Sequence, residues 1–195
     1  TKPGIHSIEA KLSDRSYYRA ARASGVVALF ASDDPILVTD IDHTLADVSS
    51  FGFIVLPNRF VHPLSGSFQA VQEISSSLKI VYLSARDHIF IAKTRAWLSE
   101  NGFPLGPILL RRIRYPSATS LQHKLSRLGE LVERHKNVQF GVGDLATDME
   151  AYRQKGIQPI LIQPKLLPNI PSETFQTKSW TEILSLIQNH QSRGL

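Results

Sequence analysis

Five short apolar runs limit what this chain can fold into: Ile36 to Thr39, Lys79 to Leu83, Ile108 to Leu110, Val138 to Val142 and Pro159 to Ile162. Each is too short for a buried helix, and runs of this kind fit strands covered on both faces. Between them lie stretches with helical spacing of apolar residues. Ser67 to Ser77 carries Phe68, Val71 and Ile74, and His88 to Asn101 is closed by Gly102. Ser120 to His135 carries Leu121, Leu125, Leu128 and Val132, and Ala146 to Lys155 completes the alternation, with a last helix at Thr181 to Asn189. Strands joined by helices in this order give right-handed βαβ units. The expected class is α/β, a three-layer Rossmann-like parallel sheet with helices on both faces.

The flanking segments are less regular. Gly4 to Leu12 reads as a strand and Ser16 to Ser24 as a helical connector, so residues 1–34 are expected to stand apart from one main domain at 35–195, compatible with the end of a preceding domain. Phe51 to Leu64 is broken by Gly52, Pro57 and Pro63 and reads as a short flap or hairpin.

Composition removes several chemistries. The chain has no cysteine, which excludes disulfides, thiol catalysis and cysteine zinc sites. No apolar run approaches the ~20 residues needed to cross a bilayer, so a soluble or peripheral protein is expected. The net charge of +5 is concentrated. Between Gly106 and Lys136 seven basic residues face two acidic ones, while the rest of the chain balances at fifteen and fifteen. An anionic partner is expected on that side.

Parallel sheets gather ligands at the carboxyl ends of their strands, and four places there carry chemistry. After the first run come Asp40 and Asp42, whose side chains share a face if the backbone stays extended. Two carboxylates so close repel unless a cation joins them, and Mg²⁺ is the hard, oxygen-seeking ion that fits. After the second run comes Ser84, able to bond a phosphoryl oxygen, with the planar Arg86 two residues on. The third is Lys124 in the basic segment. The fourth is Gly143-Asp144, with Asp148 one helical turn later and able to face the same crevice. Each has a plainer reading: a solvated acidic turn, a helix cap, a surface lysine, an Asp cap.

Taken in order, these motifs resemble the haloacid dehalogenase (HAD) superfamily of phosphotransferases. Its signature of Asp-x-Asp-x-Thr, Ser/Thr, Lys and Gly-Asp-x-x-x-Asp matches Asp40, Asp42 and Thr44, then Ser84, Lys124, Asp144 and Asp148, over about Ile36 to Ile162. The resemblance implies an HAD-like catalytic domain at 35–195. It also implies a Mg²⁺-dependent phosphomonoester hydrolase working through an aspartyl-phosphate. Asp40 would be the nucleophile and Asp42 the general acid and base, while Ser84, Lys124 and Thr44 would hold the phosphoryl group. Asp40, the Asp42 backbone carbonyl and Asp144 would bind Mg²⁺, with Asp148 supporting that shell or pairing with Lys124.

Large caps enclose small substrates in this superfamily, but the spacing here leaves room only for a capless crevice or one with a small flap. Such a crevice suits a phosphate on a large carrier. Val81 to Arg86, Thr94-Arg95 with Trp97-Leu98, and Gly102 to Leu110 resemble the phosphatidate phosphatase domains of the lipin and actin-patch-associated types. They also resemble the related C-terminal domain of membrane-associated phosphatidylinositol transfer proteins. Phosphatidate or a similar phospholipid is therefore the expected substrate, with peripheral membrane contact. Arg86, Arg111 and Arg112 would meet the anionic substrate, and Arg114 the headgroups. The alternatives are a polynucleotide-end phosphatase and a non-catalytic phosphatidate-sensing module.

Overall fold

Ile36, Leu37 and Val38 have no solvent exposure, and the strand they form is the third element of the chain and one of the two central strands of its sheet. The computed structural model describes residues 3–12, 22–111, 119–165, 168 and 170–193. The strands are β1 (Gly4–Lys11), β2 (Arg22–Leu29), β3 (Ile36–Thr39), β4 (Lys79–Asp87), β5 (Ile108–Arg111), β6 (Val138–Gly143), β7 (Gln158–Ile162) and β8 (Phe175–Thr177). The helices are α1 (Ser50–Val55), α2 (Ser67–Ile74), α3 (Ile91–Glu100), α4 (Ser120–Val132), α5 (Ala146–Gln154) and α6 (Trp180–Arg193). Strands β3 to β8 form one parallel sheet in the order β5-β4-β3-β6-β7-β8. This is the α/β architecture that the alternation of apolar runs predicts.

Alternate residues of the strands feed two cores, because successive side chains point to opposite faces. Leu37, Ile80, Tyr82 and Ile160 pack against Phe53 of α1, Val71 of α2, Trp97 of α3 and Ile183 of α6. Ile36, Val38, Val81, Leu83 and Leu161 pack against Leu128 of α4 and Met149 and Tyr152 of α5. Helices thus cover both faces.

Two expectations change, and one strand is unexpected. Arg22 to Ser24 belong to β2, which pairs antiparallel with β1, and not to a helix, whose remaining residues 16–21 lie outside the described residues. The β-branched pair Val26-Val27 and the partner strand favour extended backbone there. The segment 51–64 is no hairpin: it holds α1, capped by the Ser49 hydroxyl accepting from the Gly52 N–H, then a 3₁₀ turn at Asn58–Phe60. Finally β8, three residues after a proline-rich stretch, has too little pattern to be read from sequence.

Candidate active site

The turn after β3 is built by its own carbonyls. Ile41 accepts from the N–H groups of Leu45 and Ala46, and the Asp40 N–H donates to Val142 of β6. His43 adopts φ 52°, in the left-handed region where a side chain is strained, and turns the chain just after Asp42. Below the turn, the Trp180 indole N–H donates to the Thr44 carbonyl at 2.7 Å.

Lys124 lies between two acids. Its Nζ is 3.1 Å from Asp40 Oδ2 and 2.6 Å from Asp148 Oδ1, and all three side chains are buried. Helix α4 delivers it there. Thr119 and Gln122 form a capping box at the helix start, and Lys124 falls in the same stripe as Leu121, Leu125 and Leu128. Carboxylate oxygens of Asp40, Asp144 and Asp148 lie within 4.8 Å of one another. Asp40 Oδ1 and Asp148 Oδ2 are buried without a hydrogen-bond partner. Burial raises Asp40 to about 7, Lys124 opposing and Asp148, Asp42 and Asp144 adding. Burial likewise raises Asp144 to about 6, Asp148 adding and Lys124 and His43 opposing. For Lys124 burial works against the charge, but the two flanking carboxylates prevail and hold the ammonium above its ordinary range. Three clustered carboxylates, two of them with an orphaned oxygen, form an all-oxygen donor set, which fits a hard divalent cation such as Mg²⁺.

Close backbone approach makes this cluster possible. A Cβ on Gly143 would collide with the Asp148 carboxylate, and one on Gly141 with the Tyr152 ring. Tyr152 then donates its hydroxyl to the Val142 carbonyl at 3.1 Å.

Asp42 has the opposite environment. Its Oδ1 accepts from Arg86 Nη2 at 2.7 Å and Nε at 3.1 Å, and its Oδ2 from Arg86 Nε at 3.1 Å and the Ser84 hydroxyl at 3.0 Å. It stands outside the carboxylate cluster. Ser84 and Arg86 are therefore both engaged with Asp42. Thr44 is wholly buried, with its hydroxyl lacking a partner. Arg111, at the end of β5, is half-buried and paired with Asp87 at 3.2 Å, and Arg112 lies outside the described residues.

Other participants have weak sequence signals. His123 donates Nε2–H to the Ser84 carbonyl at 3.1 Å, and burial, with Arg127, Arg111 and Lys124 nearby, lowers it to about 4 against the pull of that bond. Phe53 and Thr94 support Arg86. Beside Asp144 a cleft of about 600 Å³ is lined by His43, Asp47, Gln163 and Lys178 among others.

Residues 37–162 match the family described as PITM 1-3, LNS2 domain. The chain belongs to the LNS2 family. LNS2 domains are HAD-like and of the lipin/Smp2 phosphatidate phosphatase type, so the superfamily indicated by the motifs is the one found. No curated protein sequence matches the chain. Among solved structures it is similar to the D,D-heptose 1,7-bisphosphate phosphatase from B. bronchiseptica complexed with magnesium and phosphate. That likeness has 16% identity and a TM-score of 0.65, over 80% of this chain and 99% of that one. A haloacid dehalogenase-like hydrolase from Streptococcus pneumoniae gives 16% identity and 0.57, over 80% and 99%. The Pnkp1/Rnl/Hen1 RNA repair complex gives 13% and 0.56, over 70% of this chain and 49% of that one. At such identities these likenesses show the fold, which is that of HAD-superfamily phosphatases, a class of phosphoric monoester hydrolases. Among the described residues of the LNS2 chain, no helix is long and apolar enough to cross a membrane.

Proposed function

We propose that this LNS2 chain is a Mg²⁺-dependent phosphomonoester hydrolase acting on phosphatidate or a similar phospholipid, with the reaction carried by residues 35–195. The observation that carries the reading is Asp40: a buried carboxylate with one oxygen on Lys124 and the other without a partner, inside a cluster of three acids. Asp40 attacks phosphorus and the ester P–O bond breaks, forming an aspartyl-phosphate. The leaving oxygen takes a proton from Asp42. Water then attacks the same phosphorus, gives a proton to Asp42 and frees Asp40. Lys124 neutralises charge on the phosphoryl oxygens as it redistributes. Asp40, Asp144 and Asp148, with the Asp42 carbonyl, would hold Mg²⁺, which screens the carboxylates and polarises the phosphoryl group.

The lipid assignment is supported by the family, by a crevice with no inserted domain among the described residues, and by the basic segment that begins at Arg111 on the β5 exit. Basic residues near a lipid surface contribute about 1 kcal/mol each, so peripheral contact follows. Phosphate release with Mg²⁺ from short-chain phosphatidate, from end-phosphorylated oligonucleotides and from an aryl phosphate tests the reading. Preferred release from phosphatidate supports it. Preference for the oligonucleotide, with steep salt dependence, means a polynucleotide-end phosphatase. Binding to phosphatidate vesicles with no release from any substrate means a sensing module.

A further inference from the structure

Arg86 is an internal residue. Its side chain has no solvent exposure, and all three of its nitrogens are used: Nε and Nη2 on Asp42, Nη1 on the Thr94 hydroxyl at 3.2 Å. The guanidinium lies 3.4 Å from the centroid of the Phe53 ring, a cation–π contact with no water between. Phe53 is itself fixed. It packs edge-on against Trp97 at 5.4 Å, whose indole N–H donates to the Val61 carbonyl, and Lys93 Nζ donates to the carbonyls of Ile54 and Leu56 at the end of α1. A chain of fixed groups therefore runs from α3 through α1 to one carboxylate beside the nucleophile.

A buried ion pair of this kind contributes little net stability compared with apolar packing. What it supplies is direction, because the planar fork engages both carboxylate oxygens and leaves Asp42 one orientation. We propose that Arg86 is the positioning residue for Asp42: held by Phe53 and Thr94, it aims that carboxylate for both proton transfers and does not bind substrate. This rests on the reading of Asp42 as proton donor and acceptor given above. Lysine cannot replace it, since an ammonium cannot span the two oxygens and also reach Thr94.

The experiment uses the full chain with Mg²⁺ and a series of phosphate esters, from short-chain phosphatidate, whose alkoxide leaves poorly, to aryl phosphates with progressively better leaving groups. Arg86→Gln is expected to lower kcat for the alkyl ester by about 100-fold or more, the contribution of a placed general acid, with KM changed little. Measured as the rate of alcohol or phenol release in the first turnover, the loss shrinks as the leaving group improves. With the best leaving group a stoichiometric burst of phenol precedes slow turnover, because hydrolysis of the aspartyl-phosphate also depends on Asp42. Arg86→Lys behaves like Arg86→Gln. Thr94→Val, which keeps the pair and releases one nitrogen, shows the same slope and burst with a loss of about threefold, and it carries the test should Arg86→Gln fail to fold. Equal losses on every ester with no burst, or a rise in KM alone, overturn the proposal. Asp42→Asn is the control: if it hydrolyses all esters like the parent, the reading of Asp42 fails and not the placement by Arg86.

Discussion

Asp40 and Asp42 are separated by one residue, yet they occupy opposite environments. Every oxygen of Asp42 is occupied, by a rigid arginine and a serine. Asp40 shares one lysine with Asp148 and keeps one oxygen with no partner. On the Asp42 side the charges balance within the protein. On the Asp40 side three carboxylates gather around one ammonium. The difference teaches where chemistry can start: a satisfied carboxylate is held in place, and an unsatisfied one is available to phosphorus or to a cation.

The contrast is sharpest at the nucleophile. Asp40→Asn should remove phosphate release by a factor of about a thousand or more, and wild-type rates in a phosphate assay would contradict the assignment. Lys124→Met comes next, since it leaves Asp40 and Asp148 buried without their cation. A stability loss of about 3–5 kcal/mol is expected in denaturant unfolding, reduced at acid pH where Asp40, raised to about 7 by burial, is protonated.

The two sides should also respond differently to pH and metal. Because burial raises Asp40 to about 7 and Asp144 to about 6, their contribution to stability is complete below the ordinary carboxylate range and is lost as pH rises through 6 and 7. The metal-free protein should thus lose melting temperature over that interval, and Mg²⁺ should restore it more at about pH 8 than at about pH 5.5. At a hundredfold excess over Kd the gain is about 2.7 kcal/mol, or roughly 5–10 °C for a chain of this size. Equal Mg²⁺ effects at both pH values in thermal melts would remove the distinction between the two sides. A smaller effect is expected of Gly143→Ala, which pushes Asp148 aside and should weaken Mg²⁺ binding in calorimetry by about tenfold while leaving the Arg86 pair intact. Smallest is Thr119→Ala, which removes the α4 cap for about 1 kcal/mol and loosens Lys124 without touching Asp42.

The parallel sheet is legible in the sequence because strands covered on both faces must be uninterrupted apolar runs, as in Ile36 to Val38. The hairpin strand β2 is not, since Arg22 to Ser24 follow an Ala- and Arg-rich stretch and gain their extended form only from pairing with β1. At the site, Asp40, Asp144 and Asp148 announce themselves by position after strands. Lys124 carries a further signal, a charge inside the apolar stripe of Leu121, Leu125 and Leu128, where a solvated lysine does not belong. The fate of Arg86 cannot be read locally. Whether it faces a ligand or a carboxylate is decided by Phe53 and Thr94, on two other helices.

The central claim is that Asp40 takes the phosphoryl group. The direct measurement is to quench the Asp42→Asn chain during turnover of an aryl phosphate with a good leaving group and Mg²⁺, where the first displacement needs no general acid and the second is slowed, and to map the phosphoryl group by mass spectrometry. The account predicts an acid-stable, alkali-labile phosphoryl group on Asp40. Phosphate release by the parent chain with no phosphoryl group on Asp40 in either protein would contradict it.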